Sequence, residues 1–221
     1  MKTASLTERG LDMKMDYVRD ITSVQKKVID KYGTLYGLDD IVKKIIGLHR
    51  TGVLNINHSV LEIILAAHLL NQGFKVYAEV EVAGGIVDIY AIKGIDISIE
   101  VETGYVPPTN AISAEEFLMG RLALKTARYS NVGHEFYIAV PSFYIPPIPE
   151  PLLIPPEERK EDDIRKVMFL IRKYSKSPDV TLDDVKTSKI NGIITINTKS
   201  LDVKVIDIKN FSTLKHFYSQ V

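Results

Sequence analysis

The residues best equipped for chemistry stand in two short stretches, Val87-Asp88-Ile89-Tyr90-Ala91 and Ile99-Glu100-Val101-Glu102-Thr103-Gly104. Both are rich in β-branched residues and read as strands. In each, carboxylates interrupt a run that otherwise belongs in a core. Ionised carboxylates are seldom buried unless they are paired or hold a metal. Glu100 and Glu102 are two apart, so a strand turns them to the same face. If the strand of Asp88 lies beside theirs, three acidic side chains converge. Convergent carboxylate oxygens suit a hard cation such as Mg²⁺ or Mn²⁺.

The surrounding elements must bring these strands together. Residues 59–72 are apolar at Val60, Leu61, Ile63, Ile64, Leu65, Ala66, Ala67, Leu69 and Leu70, which predicts a buried helix ended by Gly73. Ser59 and Glu62 have the spacing of a capping box, so Glu62 either caps this helix or joins the acidic site. His68 has no second histidine at ligand spacing and reads as a core or surface residue. Residues 74–82 alternate as a strand, in which Glu79 and Glu81 are expected to face solvent or the rim of the site. Gly84-Gly85 makes the turn into a second strand at 86–92, and a third follows at 95–102. A helix is expected at 114–130, with Arg121, Lys125 and Arg128 on one face and Tyr129 four residues after Lys125. Such a stripe either holds phosphate or is a solvated face paired with Glu115 or Glu116. A buried strand follows at 135–140.

This pattern resembles the PD-(D/E)XK nuclease superfamily, whose restriction-endonuclease-like core runs helix, three antiparallel strands, helix, strand. Asp88 matches the metal-binding Asp of the second strand, and Glu100 matches the acidic residue of the third. Glu102 stands where the family usually has Lys. Glu62 fits the glutamate of the preceding helix, and Lys125-x-x-x-Tyr129 is similar to the Gln-x-x-x-Tyr of exonuclease-like members. The resemblance covers residues 57–141. It implies an α/β fold with a mixed sheet flanked by helices, and a metal held by Asp88, Glu100 and the Val101 carbonyl. Catalysis would fall to Asp88, Glu100, Glu102, Lys125 and Glu62. Arg121, Lys125, Arg128 and Tyr129 would hold nucleic acid, with DNA the expected substrate and RNA left open. Neutralising Asp88 or Glu100 is expected to relieve repulsion, so that stability without metal holds or rises.

Outside that core, residues 1–56 read as a helical extension and 57–221 as the nuclease-like domain. Helices are expected at 12–31 and from Asp39 to near Gly52. Lys43-Lys44 and His49-Arg50 either touch phosphate or lie on a solvated face. Seven of the ten prolines fall within 141–156, which predicts a stiff loop or arm, a candidate homodimer contact or lid. Arg159–Lys176 returns to helix, 193–197 and 203–208 form a hairpin, and a last helix carries Phe211, Leu214, Phe217 and Tyr218. The 28 basic and 28 acidic residues balance, so any nucleic-acid surface must be local. Absence of cysteine rules out disulfides and thiolate chemistry. With no signal peptide or membrane-length apolar run, the expected location is cytoplasmic, and abundant Ile and Lys suit a thermophile. Two functions remain open: a Mg²⁺-dependent nuclease, and a catalytically inactive module of the same fold that binds nucleic acid or a protein partner.

Overall fold

The computed structural model describes residues 4–50, 55–176 and 179–218, with side chains from residue 16 to 48, 55 to 176 and 179 to 217. Two helices lead, α1 (Ala4–Tyr32) and α2 (Leu38–Arg50), followed by α3 (Ile56–Asn71). Strands β1 (Lys75–Val82), β2 (Gly85–Lys93) and β3 (Ile95–Val101) come next, then α4 (Ala114–Tyr129) and β4 (Glu135–Pro141). The chain ends with α5 (Glu150–Leu153), α6 (Glu161–Tyr174), α7 (Leu182–Thr187), β5 (Gly192–Asn197), β6 (Asp202–Asp207) and α8 (Ile208–Tyr218). The strands form one six-stranded sheet in sequence order. Strands β1, β2 and β3 pair antiparallel, β3, β4 and β5 pair parallel, and β6 returns antiparallel. The parallel pairs need crossovers, which α4 and the α5–α7 segment provide. The architecture is therefore α/β, a mixed sheet with helices on both faces. Among the described residues no helix is long and apolar enough to cross a membrane.

Each face of the sheet has its own core. On one face α3 packs its apolar surface, with Ile63, Ile64, Leu65 and Ala66 fully buried, against Ile89, Ala91, Ile99 and Val101. The leading helices share this core: Ile21 and Val28 of α1 and Ile41, Val42 and Ile45 of α2 lie in it. On the other face α4 and α6 cover Phe136, Ile138, Val140 and Ile193. The proline-rich stretch does not project as an arm. Its Ile148, Leu152 and Leu153 are buried in this second core, and Glu150–Leu153 forms one helical turn with proline in its first turn, where a missing N–H costs nothing. Met15, His49, Arg50, Gly52 and the side chain of Tyr218, named above, lie outside the described residues or side chains.

Local chemistry sets the edges of α3. The helix begins at Ile56, three residues earlier than expected, because Asn55 is the N-cap and accepts from the Asn57 N–H. Ser59 therefore sits inside the helix, where its hydroxyl accepts from Tyr17 Oη at 2.8 Å. The Ser59–Glu62 capping box does not form, and Glu62 is left for the interior.

Since α1 and α2 bury residues in the core that α3 forms with the sheet, a chain cut to residues 57–221 should not fold by itself. A broad, non-cooperative thermal melt and strong binding of a hydrophobic dye are the expected outcomes; a sharp melt would show that the leading helices are dispensable.

Candidate metal centre

Asp88 occupies a singular place in the sheet. It is the one residue of β2 absent from both of that strand's ladders. On one side Ala78 pairs with Ile89 and Val80 with Val87, skipping Glu79 and Asp88. On the other side the β2–β3 ladder runs only from Lys93↔Ile95 to Ile89↔Ile99 and stops before Asp88 and Glu100. Side chains replace the missing backbone bonds. The Asp88 N–H donates to Glu100 Oε1 at 3.3 Å, and the Val101 N–H donates to Asp88 Oδ2 at 2.7 Å. Where the strands part, helices on both faces can reach the same carboxylate.

They do so with cations. From α3, His58 Nε2 lies 3.2 Å from Asp88 Oδ2, and Nδ1 lies 3.3 Å from Glu62 Oε2. From α4, Lys125 Nζ lies 2.8 Å from Glu100 Oε2, 3.5 Å from Asp88 Oδ2 and 3.3 Å from the Val101 carbonyl. The Lys125 ammonium thus contacts the same three groups expected to hold a metal. One turn earlier, Arg121 Nε lies 3.2 Å from Glu102 Oε2, and Glu102 Oε1 accepts from the Gly104 N–H at 3.2 Å. Tyr144 from the proline-rich loop packs its ring against Gly104.

Asp88, Glu100 and Glu102 are all buried, and α4 brings Lys125 and Arg121 to them rather than to Glu115 or Glu116. Arg128 turns elsewhere and pairs with Asp179, its Nε 2.9 Å from Oδ1. Tyr129 is buried in the second core and its carbonyl accepts from Ser98, so the described site does not include it. His68 donates to or accepts from Gln72 on the same helix, away from the acids.

Two residues join that sequence reasoning missed. His58 precedes Glu62 by four on α3, a spacing that places both on one helix face and was the available signal. Glu79 and Glu81 were expected to face solvent or the rim of the site; Glu81 is exposed, whereas Glu79 is buried and lies among the acids. The reason is backbone conformation. Glu79 has φ +52°, a left-handed geometry that a residue with a Cβ seldom adopts and that costs about 1–3 kcal/mol. No pattern of residue types around Glu79 announces it.

His58, Glu62, Glu79 and Asp88 each offer a ligand atom, all within 4.8 Å of one another. Glu62 Oε1 and Glu79 Oε1 are buried without a hydrogen-bond partner, and Glu62 Oε2 has the His58 imidazole beside it. Unsatisfied buried polar atoms are rare in native proteins and call for an ion, a proton or water. Glu62, Glu79, Asp88, Glu100 and Glu102 are five buried acids crowded around three cationic groups, His58, Arg121 and Lys125, so some of the acids need a proton or an added cation. The donor set could therefore hold a metal ion.

Titration follows from this crowding. Burial opposes ionisation of Asp88, yet Lys125, His58 and the Val101 N–H outweigh it and hold Asp88 well below the usual carboxylate range. Burial and the neighbouring charge of Asp88 push Glu100 up to about 8 despite Lys125. Burial, with Glu62 and Asp88 nearby, pushes Glu79 up to about 8. Burial also raises Glu62. His58 is buried too, which disfavours its charge, but Asp88 and Glu62 prevail and lift it to about 10. Lys125 is likewise lifted above its ordinary value, burial notwithstanding, by Asp88 and Glu100. Without metal, His58 is an imidazolium and Lys125 an ammonium, two internal cations around Asp88.

A groove of about 1110 Å³ lies outside this cluster, between α2 and edge strand β1, lined by Tyr36, Lys44, Phe74, Tyr77 and Tyr90 among others. It is the most voluminous cavity described, yet of the five acids only Glu79 borders it. Ionisable groups converge in the charged cluster rather than in this largely apolar groove. No family model, curated protein or solved structure matches this chain at a significant level.

The partners of Asp88 point against the expectation that neutralising it leaves stability unharmed. Asp88→Asn removes one carboxylate partner from each of two cations, which keep Glu100 and Glu62, and should lower metal-free stability by about 1–3 kcal/mol. Glu79 behaves oppositely. With its pKa raised from 4.5 to about 8, it contributes stability fully below pH 4.5 and loses it as pH rises through 8. Glu79→Gln should therefore be more stable than wild type above pH 8 without metal. Chemical denaturation of both variants at pH 6 and pH 9 checks the contrast; equal midpoints would remove the electrostatic account.

Metal ligands must be deprotonated. Binding of Mn²⁺ near neutral pH should release protons from His58 and Glu79, and affinity should climb from pH 6 to 9. Isothermal titration calorimetry in two buffers of different ionisation enthalpy counts those protons. Affinity independent of pH would exclude these two residues as ligands.

Proposed function

We propose that this protein is a metal-dependent nuclease that hydrolyses phosphodiester bonds, with DNA as the expected substrate. The observation that carries this reading is the carboxylate–imidazole cluster around Asp88, lying directly beside Lys125 and Arg121. Anionic oxygens alone would repel a phosphodiester. A divalent cation and two fixed cationic side chains reverse the sign of the site.

The order helix, three antiparallel strands, helix, parallel strand supports the likeness to the restriction-endonuclease-like fold. Asp88, Glu62, Glu79 and His58 would hold the ion, which would polarise a phosphoryl oxygen and acidify a bound water. The expected set of Asp88, Glu100 and the Val101 carbonyl has Lys125 as its cation instead. Lys125 stays protonated, so it serves as a fixed positive charge for the phosphate oxygens and not as a base. Glu100, with its pKa near 8, is suited to take the proton of an attacking water. Glu102, the residue in place of the usual Lys, is tied to Arg121 and the Gly104 N–H, which leaves it the role of orienting Arg121. Asp88, His58, Lys125 and Arg121 keep 11%, 13%, 18% and 34% of their side-chain surface exposed, whereas Glu100 keeps 1% and Glu62 and Glu102 none, so ion and water would have to reach the buried acids past Asp88 and Lys125.

One observation favours the second reading, a module that kept the fold and lost catalysis. Lys125 and His58 already neutralise Asp88, and a charge-balanced site has less need of an ion. Incubation of the full chain with single- and double-stranded DNA and RNA decides between the two, in Mn²⁺, Mg²⁺ or chelator. Cleavage is expected in Mn²⁺ and lost in chelator and in Asp88→Asn. Lys125→Ala should lower the cleavage rate about 100-fold or more, the scale of one removed oxyanion donor, with little change in binding. Binding without cleavage under every condition would establish the inactive module.

A further inference from the structure

Glu79 can reach Asp88 only because its backbone departs from the strand. Were it extended, it would lie on the side of Tyr77 and Glu81, which are exposed. Its neighbours Ala78 and Val80 both keep their ladder partners, so the departure is confined to one residue. A single left-handed residue within an intact strand returns to the extended form unless something holds it there. The Glu79 carbonyl has left the ladder, and Lys44 Nζ of α2 donates to it at 2.9 Å. Lys44 meets this peptide group and not the Glu79 carboxylate. Its contact therefore fixes geometry rather than neutralising charge.

We propose that Lys44 is a positioning residue for the metal centre, holding the Glu79 carbonyl so that the carboxylate turns in toward Glu62 and Asp88. The leading helices thereby set the ligand count of a site that contains none of their own side chains. Tyr17 of α1 adds a related tie, its hydroxyl donating to Ser59, the residue next to His58. The consequence for ion binding rests on the metal-centre reading above; the consequence for the Glu79 backbone does not.

Lys44→Met removes the donor and keeps the aliphatic stem, and Lys44→Arg can donate to the same carbonyl. Two measurements on the full chain test the proposal. The first is Mn²⁺ affinity by calorimetry and electron paramagnetic resonance. Loss of an outer contact to a ligand commonly lowers affinity about 10–100-fold, and Lys44→Met should fall in that range while Lys44→Arg holds. Lys44→Met combined with Glu79→Gln should bind no more weakly than Glu79→Gln alone, since both act through one ligand. The second is the backbone NMR signature of Glu79, whose Cα and Cβ shifts should move from left-handed to extended values in Lys44→Met, with slower exchange of the amides there as the ladder closes. Unchanged Glu79 shifts, or additive losses of affinity, overturn the positioning role. Weak Mn²⁺ binding by Glu79→Gln with normal binding by Lys44→Met overturns it while leaving the metal centre intact. Absence of Mn²⁺ binding by the wild type overturns the metal reading, and the shifts then decide the role of Lys44 alone.

Discussion

The buried charge of Asp88 is the constraint around which the rest of this structure is arranged. A carboxylate taken out of water needs hydrogen bonds and counter-charge of comparable strength. Here the Val101 N–H, the His58 imidazolium and the Lys125 ammonium supply them from a strand and from helices on the two faces of the sheet. Such convergence is possible only because the β1–β2 and β2–β3 ladders both open at this residue. Antiparallel pairing before this fork and the parallel crossover through α4 after it are what place α3 and α4 on opposite faces with their polar residues toward the same gap.

Opening a ladder has a cost that the surrounding side chains offset. Backbone groups that leave a sheet must find other partners. The Asp88 N–H finds Glu100, the Val101 N–H finds Asp88 and the Glu79 carbonyl finds Lys44. These are polar, directional contacts beside two well-packed apolar cores, which gives the fork a defined shape without metal. The same contacts leave Glu62 Oε1 and Glu79 Oε1 unpaired. A fold that orders its backbone this carefully and still leaves carboxylate oxygens unpaired in the interior is suited to receive a cation there. Raised pKa values at Glu62 and Glu79 are the same fact in terms of protons: a proton can stand in where the ion would bind.

The leading helices and the proline-rich stretch both look peripheral from composition, and both are integral. Hydrophobic residues of α1 and α2 complete the core over α3, and Ile148, Leu152 and Leu153 complete the other core. Proline restricts backbone conformation without preventing burial of the apolar residues between prolines. A stiff segment with buried anchors can then hold Tyr144 against Gly104, at the end of β3 where Glu102 emerges.

The sequence by itself determined the elements and their type, because periodicity is local. The apolar stripe of 59–72, the alternation of 74–82, the glycine turn at 84–85 and the hairpin at 193–208 all form within a few residues of where the pattern places them. It also put Lys125 and Arg121 on one helix face and pointed to Asp88 and Glu100 meeting if their strands pair, which the β2–β3 pairing brings about. Tertiary structure alone decided the rest. Whether Glu62 caps its helix or enters the site depended on Asn55 starting α3 one turn earlier. Arg128 left the basic stripe because Asp179, fifty-one residues away, is its partner. Glu79 became a candidate ligand through a single left-handed residue held by a lysine from another helix, and His58 through contact with a strand thirty residues on. These outcomes turn on the direction of one side chain or one peptide group, which long-range contacts fix and residue type does not.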